Sequence, residues 1–173
     1  HLFSLLIFDV SGHDEKASQI RDALVAHLPR IKARTNPAQF TNECNNYLLK
    51  GNVPEDRFVS FLYGVIDLAN DAFIYANAGH NPPYLIQNNK IIPIKENDLL
   101  LNISPYNYTN YKIDLYQNDS LVFYTDKLTE AKSQENNELF GTDRLEKALS
   151  EKKVNQMKAK RSVAAILSVI KDE

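Results

Sequence analysis

Leu2-Phe3-Ser4-Leu5-Leu6-Ile7-Phe8-Asp9-Val10-Ser11-Gly12-His13-Asp14 is the stretch on which the fold turns. Leu2 to Val10 is almost continuously apolar, the pattern of a strand buried on both faces, and it closes on a carboxylate, Asp9. Ser11-Gly12-His13-Asp14 then supplies a turn. Ala17, Ile20, Leu24 and Leu28 recur at helical spacing until Pro29 breaks the run, so strand, turn and helix follow one another. A second amphipathic helix is predicted from Asn36 as N-cap and Pro37 at the first helical position. Its apolar face carries Phe40, Cys44, Tyr47 and Leu48, and it stops near Gly51.

Beyond residue 57 the period changes. Residues 58–68 and 73–78 are β-rich runs whose connection through Ala69-Asn70-Asp71 is short enough for an antiparallel hairpin. After Pro82-Pro83, residues 84–86 and 91–94 flank Gln87-Asn88-Asn89-Lys90 as a second hairpin. Residues 111–116 alternate, and 120–124 form a compact apolar strand that again terminates in a carboxylate, Asp126. Residues 142–149 and 155–160 read as short helices, 162–170 as a closing strand, and the polar stretch 133–138 as a mobile surface loop. The predicted class is α+β: two packed, mostly antiparallel β-sheets flanked by helices, a β-sandwich.

A chain of 173 residues is one ordinary domain's worth of polypeptide, so residues 1–173 are expected to form a single domain. Hydrophobic residues at 43% and charged residues at 24% exclude a disordered or fibrous chain. Twenty Lys plus Arg against 22 Asp plus Glu leave a net charge of -2, without the cationic excess that draws a chain onto nucleic acid or anionic lipid. The single cysteine, Cys44, can form neither an internal disulfide nor a thiolate cluster, which fits a reducing cytoplasm. The longest apolar run falls far short of the roughly 20 residues of a membrane-spanning helix, so no membrane segment is expected. The N-terminus has no signal-peptide pattern and reads as a core strand cut from a longer parent, an N-terminal truncation.

Asp9 and Asp126 share a pattern: each follows a strand too apolar to be exposed and each enters a tight turn. Such carboxylates, helped by backbone carbonyls, can form an oxygen cage for Mg²⁺ or Mn²⁺; equally, they can cap helices or turns. Asp14 is open to the same two readings, an extra ligand or an N-cap.

These residues also carry a resemblance. Asp9-Val10-Ser11-Gly12-His13 resembles the opening signature of SpoIIE/RsbU-type phosphatases, the bacterial branch of the metal-dependent Ser/Thr protein phosphatase (PPM) family. Ala76-Asn77-Ala78-Gly79-His80-Asn81-Pro82-Pro83, Tyr124-Thr125-Asp126 with Thr129-Glu130-Ala131, and Leu139-Phe140-Gly141 resemble three further blocks, in family order. The likeness runs from about residue 5 to residue 149. It implies a two-metal phosphohydrolase, with Asp9 bridging the ions, the Val10 carbonyl completing one shell and Asp126 binding the other ion, so that Asp9 and Asp126 are also the catalytic residues. Water acidified there would attack a phosphoserine or phosphothreonine without a covalent phosphoenzyme. It further implies a cytoplasmic output domain at the C-terminus of a longer signalling protein. The partner would be a small phosphorylated, anti-anti-sigma-like regulator in a partner-switching pathway, and a homodimer is one assembly it allows.

Departures from the pattern suggest impairment. No carboxylate precedes Asp9, where the family carries a Gly-Gly-Asp block, and Lys160-Arg161-Ser162-Val163 stands where an Asp-Asp pair ligates metal. At an effective dielectric of 20, like charges about 4 Å apart repel by about 4 kcal/mol, so an arginine and a divalent ion do not share that position comfortably. Asp14, Lys127 and Asn102 stand where the family has glycine; Lys127 could attract phosphate, fill a vacated metal site or simply be solvated. The alternative function is thus a degenerate phosphatase, a pseudophosphatase that binds or senses a protein partner. His13 and His80 could bind phosphate or transfer protons, or could bond neighbouring backbone. A Ser11–His13–Asp9 triad is discarded, because residues two apart beside a turn do not form a relay and no oxyanion loop is evident. Tyr106, Tyr108 and Tyr111 could form a docking surface or pack over a sheet edge.

Overall fold

The computed structural model describes residues 1–54, 56–133 and 137–150, which divide into two compact units. The first comprises residues 1–80 and 96–116, the second residues 81–95 and the chain from 117 onward. Among the described residues no helix is long and apolar enough to cross a membrane. The helix expected at 155–160, the closing strand at 162–170 and the Lys160–Arg161 position lie outside the described residues, as do residues 134–136 of the loop expected at 133–138.

In the first unit β1 (Leu2–Val10), β2 (Val59–Asp67), β3 (Ala72–Ala78) and β6 (Tyr111–Asp114) form an antiparallel sheet in the order β1-β2-β3-β6. β1 is correctly read as a strand, but not as one buried on both faces. Leu2 and Phe3 are 52% and 58% exposed, and among the described residues β1 is the edge of the sheet. The covering helices are α1 (Glu15–His27) and α2 (Pro37–Tyr47). Both start where their caps dictate: Asp14 Oδ1 accepts from the Ala17 N–H at 3.0 Å, and Asn36 Oδ1 from the Gln39 N–H at 3.1 Å. α2 runs into a widened turn over Leu48–Asn52, where Gly51 takes a φ of +76°.

Strand alternation divides the sheet. Leu6, Phe8 and Val10 of β1 and Val59, Phe61, Tyr63 and Val65 of β2 pack against Ile20, Leu24, Phe40, Cys44 and Leu48 of the helices. Phe40 stacks on Tyr63 at a centroid distance of 3.8 Å. Asp9 pairs with Ser60 in the register, so both point to the face that the helices do not cover.

In the second unit β4 (Tyr84–Gln87) lies between β5 (Lys90–Pro93) and β7 (Ser120–Val122). The β4–β5 turn is tighter than the four residues expected. Gln87 and Lys90 already pair, and Asn88 and Asn89 alone turn the chain at φ +51° and +60°, left-handed values that asparagine tolerates. β7 ends at Val122 rather than Tyr124, so Asp126 does not close a strand. It opens a short helix, α3 (Asp126–Thr129). α4 (Gly141–Ser150) then packs Leu145 and Leu149 with Tyr84, Tyr124 and Phe140. The architecture is a mixed α/β fold with two antiparallel sheets, as the sequence pattern predicts.

Candidate active site

Asp9 ends β1 as a half-buried carboxylate with no hydrogen bond or ion pair among the described residues. A carboxylate partly withdrawn from water without a partner is unfavourable unless something cationic joins it. The neighbouring carbonyl is also available. Val59 exchanges both of its main-chain hydrogen bonds with Leu101, at 3.2 and 2.9 Å, and the Ser11 N–H donates to the Phe58 carbonyl at 3.0 Å. Bonded and non-bonded pairs alternate along an antiparallel ladder, so Val10 and Val59 form a pair whose main-chain groups face away from each other. The Val10 carbonyl therefore faces out from the β1 edge, which has no partner strand among the described residues. A carboxylate and an adjacent outward carbonyl are the donor set of a hard divalent cation, and these residues fit Mg²⁺ or Mn²⁺.

The turn after Val10 is strapped to the start of β2. Ser11 Oγ accepts from the Phe58 N–H at 3.0 Å, which answers the main-chain bond in the other direction and occupies the hydroxyl that a triad would need. Asp14 is the N-cap of α1 and also meets the Arg57 guanidinium at 2.7 Å, which holds its carboxyl below the usual carboxylate range. His13 is exposed.

His80 has a different setting. It is buried, its Nδ1 lies 3.0 Å from Ser60 Oγ, and its main chain is held by Asn77, whose Oδ1 accepts from the His80 N–H and whose Nδ2 donates to the His80 carbonyl. Gly79 between them takes a φ of +70°, and its N–H donates to Asn97 Oδ1 at 2.7 Å. The Asn77–His80 block thus builds a turn beside Ser60, the register partner of Asp9. In this block the Asn77 side chain bonds the backbone, and the His80 ring meets a side chain, Ser60 Oγ. The sequence alone missed Ser60, and its only signal was a hydroxyl in an otherwise apolar strand.

Asp126 belongs to the second unit. Its Oδ1 accepts from the Lys127 N–H at 2.9 Å, and Lys127 itself is exposed. Phe140 is buried in that unit's core, its N–H donating to the Ala131 carbonyl at 2.7 Å, which gives the Leu139-Phe140-Gly141 block a packing role. The tyrosines of the 106–111 segment hold their own loop: Tyr106 and Tyr111 donate to Asp98 Oδ1 at 3.1 and 3.2 Å, and Tyr108 is buried with its hydroxyl on the Leu100 carbonyl.

Solved structures place this architecture among the PP2C-type phosphatase folds. The chain matches the SiaA-PP2C domain of Pseudomonas aeruginosa with a TM-score of 0.76 at 14% identity, covering 99% of this chain and 73% of that one. It matches the PP2C phosphatase domain of SpoIIE from Bacillus subtilis with a TM-score of 0.74 at 14% identity, covering 98% of this chain and 49% of that one. The sequence pattern of the family "Stage II sporulation protein E (SpoIIE)" matches residues 1–172, and the chain belongs to that family. Phosphoserine phosphatase RsbU of Bacillus subtilis (strain 168) is 29% identical over 102 residues, which are 57% of this chain and 30% of the relative's length.

Proposed function

We propose that this domain hydrolyses phosphoserine or phosphothreonine on a regulatory protein in a Mn²⁺- or Mg²⁺-dependent reaction, with Asp9, the Val10 carbonyl and Asp126 as metal ligands. The observation that carries the reading is the half-buried Asp9 carboxylate, without a partner among the described residues, beside an outward-facing carbonyl in a chain of this family. When bound, the ions neutralise charge on the phosphoryl oxygens and acidify water. The chain's own residues orient. The β1–β2 register sets Asp9, the Ser11–Phe58 pair sets the turn that follows it, and Asn77 with Ser60, the register partner of Asp9, fixes His80. Hydrolysis breaks the phosphoester P–O bond, returns the protein hydroxyl and releases inorganic phosphate.

RsbU is by its name a phosphoserine phosphatase, and one structural neighbour carries RsbU and RsbW domains in one chain. These support a small phosphorylated, anti-anti-sigma-like regulator as substrate. We further propose residues 1–173 as the single cytoplasmic output domain of a longer signalling protein, with a homodimer as the assembly to test.

A second reading, a pseudophosphatase that binds its partner without turnover, is favoured by one observation. Among the described residues no three His, Cys, Asp or Glu side chains gather into a metal-binding group. Hydrolysis of a phosphoserine peptide with Mn²⁺ titrated in decides between the two. Turnover abolished by Asp9→Asn supports the enzyme. Peptide binding without turnover, with activity gained in Arg161→Asp, supports the degenerate module.

A further inference from the structure

Asn102 and Arg57 are linked in a way that neither proposed ligand reveals. Asn102 is buried at a φ of +64°, and its hydrogen bonds tie α2 to the segment that leads into β2. Its N–H donates to Asn45 Oδ1 on α2 at 2.9 Å, and its Nδ2 donates to both the Pro54 and the Arg57 carbonyls, at 3.0 and 2.8 Å. Arg57 is therefore held from behind by a rigid amide. From the front its guanidinium meets Asp14 Oδ2 at 2.7 Å and Asp56 Oδ2 at 3.4 Å, while Lys16 meets the same Asp56 oxygen at 2.8 Å. Two cations and two anions make a locally neutral chain, so Arg57 brings no uncompensated charge to the turn.

Arg57 also lies against that turn. A Cβ on Gly12, whose φ is +90°, would stand 3.2 Å from Arg57 Nε, and this Nε is buried without a hydrogen-bond partner among the described residues. The side chain thus packs over Gly12 through its body, with its terminal nitrogens turned to the carboxylates. Phe58, the next residue, exchanges two bonds with Ser11.

We infer that Arg57, locked by Asn102, is a positioning residue that holds the Val10–His13 turn in the geometry presenting the Val10 carbonyl and the Asp9 carboxylate to a divalent cation. This rests on the metal reading above. Supporting residues behind metal ligands typically change affinity by about 10- to 100-fold when removed.

The full chain is titrated with Mn²⁺ by calorimetry, and amide hydrogen exchange is followed in the same samples, for the unsubstituted protein, Arg57→Met, Arg57→Lys and Asn102→Gly. Glycine keeps the left-handed backbone of residue 102 while removing its side-chain bonds. In Arg57→Met the Mn²⁺ dissociation constant is expected to rise by about 10-fold or more, and the amides of Ser11 to Asp14 to exchange faster, with β2 amides unchanged. Arg57→Lys recovers part of the affinity, Asn102→Gly shows the same change more weakly, and saturating Mn²⁺ restores the maximal rate of phosphopeptide hydrolysis. Unaltered Mn²⁺ affinity in a folded Arg57→Met overturns the inference and leaves the phosphatase reading standing. Absence of Mn²⁺ binding by the unsubstituted chain overturns both.

Discussion

Asn77 grips His80 by both of its main-chain groups, the Oδ1 accepting from the His80 N–H at 2.9 Å and the Nδ2 donating to the His80 carbonyl at 3.1 Å. Both residues are buried, so water does not readily replace these bonds. Unsatisfied buried groups cost about 1–3 kcal/mol each. Asn77→Ala, which strands two of them, is expected to destabilise the protein by about 2–4 kcal/mol in urea unfolding. A loss below about 0.5 kcal/mol would mean that other partners take over both bonds.

Gly79 and Leu100 form a second coupled pair. A Cβ at residue 79 would lie 2.3 Å from Leu100 Cδ2, and the backbone φ there is +70°. Gly79→Ala therefore combines a clash with a left-handed conformation that costs a side-chain-bearing residue about 1–2 kcal/mol. A double-mutant cycle with Leu100→Ala separates the two, since truncating Leu100 relieves the clash and not the φ. The cycle should show a favourable coupling of about 1–2 kcal/mol, and strict additivity would place the whole effect in the backbone.

His27 closes α1 with its ring stacked on Tyr47 at 3.9 Å, and its Nδ1 is buried without a hydrogen-bond partner among the described residues. Burial lowers its pKa below the ordinary value of about 6.5, Arg30 and Lys50 push the same way, and Glu43 opposes them. The unfolded chain then binds more protons than the folded one as pH falls through about 6.5, so this group removes stability on acidification until the folded imidazole also protonates. Thermal melts between pH 8 and pH 5 should show His27→Phe losing less stability than the parent. Parallel pH profiles would rule this contribution out.

Cys44 is fully buried on α2, and burial, followed by the nearby Glu43 charge, pushes its thiol up. The reactive species is the thiolate. The native protein should resist a soluble thiol reagent at pH 8 and react at one equivalent once unfolded in urea, and fast labelling of the native chain would contradict this packing.

The elements whose signals are local were legible in the sequence. The Asn36 cap, Pro37 and Gly51 act within a few residues of themselves and appear where the pattern puts them, Asp14 takes the cap among its two readings, and the 87–90 connection tightens to Asn88-Asn89. What misled was burial inferred from composition. Leu2 and Phe3 belong to an apolar run, yet they are exposed on a strand that is the sheet edge among the described residues, and the apolar residues 123–124 follow β7 without extending it. Tyr124 is buried by packing against Tyr84, a side-chain contact that needs no strand pairing.

For the candidate site the division is similar. The position of Asp9 at the end of a strand, and the family that the four ordered blocks define, came from the sequence alone, because both depend on residue type and order along the chain. The outward turn of the Val10 carbonyl, the meeting of Ser60 with His80 and the clamp of Asn102 on Arg57 were decided only by tertiary structure. Each depends on a partner between 20 and 91 residues away, as with Val10 and Leu101 through Val59, and strand register rather than local preference brings such partners together.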